Sequence, residues 1–395
     1  MFTKGGKPDL ILFLAVIALV SLGLIMVFSA SSVMGLADAG NPYYYVQRQS
    51  ILAVLGLVIL FVLMKVDYHI FKPLALPGLV ISLALLVLVL FVGTGAGSAS
   101  RWIRIAGFNL QPSELAKLIL VNYVAVYLAN KRARARKFFS GLLPILVITA
   151  VYFVLIMLEP DFGTAVALVF SVLVVLFAGG VHLGQLTFVG LLAAPVLAYL
   201  VTLKEYRVKR LFAFLDPWAD PTDTGWNVIQ SLLAIGSGGL FGVGLGRSRQ
   251  KFSYLPEHHT DFIFAILCEE LGFLGGAAVI VLFFVLAWRG LRIAMRAPDL
   301  YGTLLAIGIT SIIAFQALLN IGVVTGSLPV TGIPLPFISH GGSSLLVSLA
   351  GMGILLNIYT HLPAPQTGLE IVCSLLLYKK KKQMRLSSTL VYECV

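Results

Sequence analysis

Charge is scarce in this chain. Only 11% of its 395 residues are Asp, Glu, Lys or Arg, against roughly 25% in an ordinary soluble domain. With 59% hydrophobic residues and a mean hydropathy of +0.98, a water-soluble fold is excluded. Cysteine is as sparse: Cys268, Cys373 and Cys394 stand far apart without motif spacing, which excludes a disulfide scaffold. Long polar, low-complexity stretches are missing from most of the chain, and extended disorder with them.

What the chain has instead is apolar runs of about 17 to 25 residues, the length of a helix that crosses a bilayer. Ten candidate spans read as 10–28, 50–64, 74–92, 110–128, 142–158, 164–181, 184–202, 262–287, 301–325 and 337–360. Backbone groups in lipid must be satisfied within their own segment, so each span is expected to be an α-helix. Lys4 and Lys7 before the first run and Ser29-Ala30-Ser31 after it suit a cleaved signal peptide. The run is longer than a usual signal core, which favours an uncleaved first helix.

Orientation follows from the loop cations. Lys4, Lys7, Lys65, Lys72, the cluster Lys131 to Lys137, Arg289, Arg292, Arg296 and Lys379 to Lys382 fall on one side. The acids Asp38, Glu159, Asp161, Glu205, Asp216, Asp220, Asp223, Glu257 and Asp261 fall on the other. The expected fold class is therefore all-α: a polytopic membrane protein with ten transmembrane helices and both termini cytoplasmic. Residues 1–365 form the membrane domain, with a large extracytoplasmic loop at about 203–261 between helices 7 and 8. Residues 366–395 form a basic, divergent cytoplasmic tail. The net charge of +11 is explained by cytoplasmic loops facing anionic lipid, so no nucleic acid is implied.

Two outer segments carry chemistry. In the first, Arg101-Trp102-Ile103-Arg104 leads to Gln111-Pro112-Ser113-Glu114 and Lys117, placing two arginines on the side where cations are disfavoured. Guanidinium forks suit a fixed diphosphate, a reading favoured over mere snorkelling to head groups. Glu114 and Lys117 share a helix face, and a structural ion pair at a helix end accounts for both. The second is the long loop, which ends Arg247-Ser248-Arg249-Gln250-Lys251 and then Glu257-His258-His259-Thr260-Asp261 at the mouth of the eighth span. Ionisable groups there are functional candidates, although Asp261 as a plain helix cap would justify its residue type. Glu257, His258 and Asp261 lack HExxH spacing and a third ligand. No metal site is assigned; a weakly held divalent ion, magnesium or manganese, between Asp261 and a substrate diphosphate is the one cofactor expected. The run Gly236 to Gly246 lacks the Lys-Ser/Thr ending of a nucleotide loop and lies outside, so ATP binding is rejected. The absence of a clear inverted repeat weakens a secondary-transporter reading.

Four separated motifs resemble one family. They are Arg101-Trp102-Ile103-Arg104 with Gln111-Pro112-Ser113-Glu114; Pro160-Asp161-Phe162-Gly163-Thr164; Tyr254-Leu255-Pro256-Glu257 with His259-Thr260-Asp261-Phe262; and Pro336-Phe337 with Gly341-Gly342-Ser343-Ser344. In this order they resemble the SEDS proteins of bacteria (FtsW, RodA and SpoVE) over about residues 8 to 362, and Gly244 to Lys251 resembles the FtsW and SpoVE branch. The resemblance implies a peptidoglycan glycosyltransferase of the bacterial cytoplasmic membrane. It would polymerise lipid II in division or sporulation, beside a class B penicillin-binding transpeptidase and other division proteins. The family's catalytic aspartate matches Asp261. Glycosyl transfer from a lipid diphosphate needs a base and cations on the leaving group, and Arg101, Arg104, Lys117, Arg249 and Lys251 are the candidate phosphate partners. Trp102 is placed on sugar or lipid, and Glu114, Asp161, Glu257, His259, Thr260 and Ser343 as residues that line or shape the site. A lipid II flippase is the rival reading and a scaffold that only recruits the transpeptidase the third; the ionisable residues gathered at the outer surface favour the enzyme. His340 departs from the tyrosine usual before the paired glycines.

Overall fold

In the computed structural model, which describes residues 8–95, 101–105, 108–131, 137–251 and 259–361, every apolar run lies in a helix. The first seven are α1 (Leu10–Ala39), α2 (Tyr44–Lys65), α3 (Ala75–Val92), α4 (Pro112–Asn130), α5 (Leu143–Leu158), α6 (Phe162–Ala178) and α7 (Leu183–Thr202). Two loop helices follow, α8 (Glu205–Leu215) and α9 (Trp226–Gly238), and then α10 (Ile263–Arg296), α11 (Leu300–Val324) and α12 (Gly342–Thr360). Among the described residues nine helices are long and apolar enough to cross a bilayer, the fifth beginning in a π turn at Phe138; α6, at 17 residues, is shorter. The tail 366–395 and Glu257 lie outside the described residues.

Several helices outrun the apolar stretches that announced them. α1 continues past residue 28 to Ala39, and α2 starts at Tyr44 rather than 50, so the span that looked short has 22 residues. The physical reason is that polar residues at these ends face protein. Ser29 donates to the Glu270 carboxylate, and Gln49 is buried, donating to Ser339 O at 3.2 Å. The apolar piece 228–235 is the centre of α9. It packs on α10 and is tied to α11 by Ser231 Oγ donating to Val324 O at 2.7 Å.

α11 sits centrally, in contact with α4, α6, α10 and α12. Two thirds or more of the apolar windows of α11 and α12 are buried, and none of that of α7, which therefore lies at the periphery. Lipid tails are as apolar as leucine, so helix association depends on close packing. Gly353 on α12 shows it: a Cβ there would lie 2.8 Å from Leu60 O on α2.

α10 is interrupted at Gly272, whose φ of 69° and ψ of −169° are not helical. The backbone groups freed by the break are taken by the loop before it. Val243 N donates to Glu269 O and Gly244 N to Glu270 O, both at 3.0 Å; Phe273 N donates to Gly239 O at 2.8 Å and Leu274 N to Leu240 O at 3.2 Å. At the N-terminus of α1 Asp9 caps the helix by accepting from Leu12 N at 3.1 Å, and its other oxygen accepts from Arg289 Nε of α10 at 2.8 Å.

Both members of the Asp9–Arg289 pair are nearly inaccessible to water. Asp9→Ala strands a buried guanidinium and should lower stability by about 3 kcal/mol or more, whereas removing both charges (Asp9→Ala with Arg289→Met) should recover most of that loss. Thermal unfolding midpoints in one detergent compare the three proteins.

Candidate active site

A two-stranded hairpin opens the site. β1 (Ile103–Ile105) pairs antiparallel with β2 (Phe108–Leu110), Arg104 opposite Asn109, and Trp102 is bridged to Thr94 through Trp102 O, which accepts from Thr94 N at 2.7 Å. β2 runs into α4, where Pro112 occupies the first helical position, as suits a residue without an N–H. Ser343, at the start of α12, stitches the hairpin to the bundle: its Oγ accepts from Gln111 N at 2.8 Å and donates to Asn109 O at 2.9 Å.

Opposite the hairpin, Pro334 to Gly341 forms a turn over the entry to α10. Ser339 Oγ donates to Thr260 O at 2.6 Å and accepts from Leu335 N at 2.8 Å. His340 N donates to His259 O at 3.0 Å. Asn320 of α11 donates to both Asp261 O and Ile333 O, at 2.7 and 2.8 Å. The Asp261 segment is thus held by main-chain bonds, with a carboxylate oxygen 3.5 Å from where a Cβ on Gly332 would stand.

Between these pieces lies a cavity of about 520 Å³. It brings together the expected residues Asp261, Arg101, Trp102, Thr260 and Ser343, and adds Arg210 of α8, which the sequence had not singled out. Arg101 is aimed by backbone: it donates to Pro160 O and, through Nε at 3.1 Å, to Glu159 O. Arg210 donates to Val330 O at 3.3 Å. Burial lowers its proton affinity and the positive field of Arg101 lowers it further, while Tyr206 and Asp261 act the other way; a guanidinium remains charged throughout. The sequence offered little hint to Arg210, since Lys204, Arg207 and Lys209 beside it carry the same sign.

Other expected site residues are placed elsewhere. Lys117 does not reach the Asp261 cavity: it is buried in the bundle on Glu114, 2.7 Å away, with Gln316 Nε2 at 3.4 Å. The space beside them is about 10 Å³, room for a single water. Arg104 is exposed on β1 and does not line the cavity. Asp161 spends its oxygens on structure, capping α6 through Thr164 N at 3.1 Å and accepting from Thr164 Oγ1 and Gln111 Nε2. His259 packs with Tyr45 and His340, ring centroids 5.1 to 5.8 Å apart. In place of the usual tyrosine, His340 is neutral, its pKa held down to about 4 by burial and by the neighbouring His259 and Arg48. Arg249 and Lys251 belong to a separate loop, Arg249 at a second cavity and Lys251 with its Nζ on Gly246 O. No cluster of three His, Cys, Asp or Glu suited to a metal occurs among the described residues.

Comparison with known proteins completes the description. A family profile described as "Cell cycle protein", covering FtsW, RodA and SpoVE, matches residues 9–363. The chain is 47% identical over 361 residues to Stage V sporulation protein E of Bacillus subtilis, covering 91% of this chain and 98% of that protein. It is 48% identical over 366 residues to the probable peptidoglycan glycosyltransferase FtsW of Trichlorobacter lovleyi, covering 92% and 96%. Among solved structures it resembles a chain from work on "structural coordination of polymerization and crosslinking by a peptidoglycan synthase complex" (TM-score 0.73, 34% identity, 89% of this chain and 98% of that one). It also resembles the rod shape determining protein RodA of Thermus thermophilus (TM-score 0.68, 33% identity, 90% and 99%).

Glu159, beside Arg101, is fully buried and neither carboxylate oxygen has a hydrogen-bond partner. Burial, and then the charge of Asp161, push its pKa up from 4.5 to about 8, against the pull of Arg101. Below pH 4.5 the group is protonated folded or unfolded; as pH rises from there to about 8 the unfolded chain ionises first, so folding loses stability over that window. Glu159→Gln should therefore raise the unfolding midpoint, with no gain near pH 4 and a gain that grows until about pH 8, measurable by thermal scans across pH.

Proposed function

The chain belongs to the FtsW, RodA and SpoVE family of cell cycle proteins, and from that premise we propose that it is a peptidoglycan glycosyltransferase polymerising lipid II on the outer face of the bacterial cytoplasmic membrane. The observation that carries this reading is the convergence of one carboxylate, Asp261, with two guanidiniums, Arg101 and Arg210, in a single outer cavity.

The reaction joins the hydroxyl of one lipid-linked sugar to the anomeric carbon of another and expels a lipid diphosphate. Asp261 accepts the proton of the attacking hydroxyl. Arg101 and Arg210 hold the diphosphate, whose charge rises as its bond to the sugar breaks, and preorganised cations stabilise that change without reorganising. Trp102, on the cavity wall, offers a flat face to a sugar ring. Ser343 acts through the backbone it holds, and Thr260 through its own carbonyl, which Ser339 holds, rather than as acid or base. Among the described residues Asp261 is the only carboxylate lining the cavity; it would hold a magnesium or manganese ion, which would supply further positive charge beside the diphosphate. The likeness to a chain of a peptidoglycan synthase complex supports a crosslinking partner, which we assign as a class B penicillin-binding protein working with other division or sporulation proteins.

Purified protein, alone and with its transpeptidase partner, is given labelled lipid II and a divalent ion. Polymer is expected from the unmodified chain and none from an equally stable Asp261→Ala; Arg210→Ala should cut kcat/KM by about a hundredfold, the scale of losing one charge-stabilising donor. Polymer from Asp261→Ala would remove the base from this mechanism. Translocation of lipid II across vesicles without any polymer would move the flippase reading ahead.

A further inference from the structure

A second cavity, about 680 Å³, opens between α9 and the loop before α10; Ser237, Arg247, Arg249, Gln250 and Glu269 line it. The loop is anchored through groups other than the guanidiniums of its arginines. Ser248 Oγ donates to Glu269, Ser248 N to Glu270 Oε1 at 3.3 Å, and Arg249 N to Glu269 Oε1 at 2.9 Å. Lys251 Nζ stands 4.0 Å from Glu270. Both buried carboxylates are thereby engaged by main chain, Ser248, Ser29 and Lys251, and Arg247 and Arg249 stay exposed at the cavity. Among the described residues no carboxylate lies within ion-pair distance of either guanidinium. Gln250 Oε1 is buried there without a partner, and a turn of the amide presents its two N–H donors instead.

We propose that this cavity binds the diphosphate of the second lipid-linked substrate, the one whose sugar hydroxyl attacks. The inference rests on the glycosyltransferase reading. Polymerisation needs two lipid diphosphates at once, in unequal positions. In the donor the bond that breaks joins the anomeric carbon directly to the diphosphate, so that diphosphate lies beside Asp261, with Arg101 and Arg210. In the acceptor the attacking hydroxyl is on the sugar remote from its own diphosphate, which therefore lies a disaccharide away. The acceptor oxygen bonds to the donor's anomeric carbon, the bond from that carbon to the diphosphate oxygen breaks with the electron pair leaving on the phosphate, and the hydroxyl proton passes to Asp261. Along α10 the rise from Ile263, next to the Asp261 segment, to Glu269 is about 9 Å, comparable with two linked sugar rings. Arg247 and Arg249 line the cavity that Glu269 also lines, so two guanidiniums meet the acceptor's requirement in charge, and the rise to Glu269 is of the length it requires.

The test counts diphosphates. Full-length protein in discs of zwitterionic lipid is titrated with geranylgeranyl diphosphate, and polymerisation kinetics are followed on lipid II. Two probes per chain are expected for the unmodified protein and for Asp261→Asn, and one for the double variant Arg247→Gln, Arg249→Gln at an unchanged unfolding midpoint. That variant should raise KM about tenfold, as the loss of one good ionic contact does, with kcat nearly kept; the Arg→Lys pair should restore part of the binding. One probe per unmodified chain, or two on the double variant, overturns the proposal. So does phosphatidylglycerol displacing the probe from this site with similar affinity, which would make it a general anionic-lipid contact. Two probes bound but no polymer with any partner would sink the glycosyltransferase reading and still support the second diphosphate site.

Discussion

Lipid offers a backbone no hydrogen bonds, and the arrangement of this protein follows from that constraint. Helices satisfy themselves. Wherever the chain leaves the helix, another irregular stretch must supply the missing partners, and the pieces that do so here are drawn together around the Asp261 cavity. The hairpin is bonded to the start of α12 through Ser343, the Pro334–Gly341 turn to the Asp261 segment through Ser339 and His340, and Arg101 to the carbonyls between α5 and α6. The cavity is the space left among segments that hold one another's backbone. The break in α10 obeys the same rule, since Gly239 to Gly244 lie where the helix at Gly272 gives up its own bonds.

Electrostatics then makes that space selective. Arg101 and Arg210 bear on the same cavity, and the field of Arg101 disfavours the charge on Arg210 while Asp261 favours it. Two cations facing one carboxylate leave an excess of positive charge that an anion can answer. A diphosphate does so with charge-assisted, often bidentate bonds, and burial strengthens them relative to water. Glu159 belongs to the same balance. Its side chain sits close to Arg101, yet burial favours its neutral form up to about pH 8, so it does not cancel the cation it adjoins.

The helices were legible in the sequence because the bilayer imposes a length and a composition that few other structures share. Asp261, Arg101, Trp102, Thr260 and Ser343 were legible as one group because they stand in motifs at helix mouths, and they line one cavity. Arg210 was missed because it lies in an amphipathic helix of the long loop, where a cation reads as solvated surface until the fold places it on the rim of the Asp261 cavity. Lys117 was misplaced for the opposite reason. Its spacing from Glu114 was read correctly as a pair, but nothing in that spacing says whether the pair faces a cavity or the bundle, and the contact with Gln316 of α11 decides it. Gly272 carries no signal at all, because a glycine in an apolar run looks like helix.

The disposition of the remaining charges bears on transport against catalysis. A passage for a lipid diphosphate through the bundle would need cations inside it that are free to meet the phosphate. The interior cations described here are committed: Lys117 to Glu114, with space for one water beside them, and Arg289 to Asp9. Separating either pair to admit a ligand would leave a buried charge uncompensated, a penalty of several kcal/mol. Arg247 and Arg249, which have no carboxylate within ion-pair distance among the described residues, line one cavity, and Arg101 and Arg210, which donate to backbone carbonyls, line the other. The cations that line the two cavities are therefore not neutralised by ion pairs of their own, an arrangement suited to holding diphosphates in place while a bond is made and poorly suited to carrying them through the bundle.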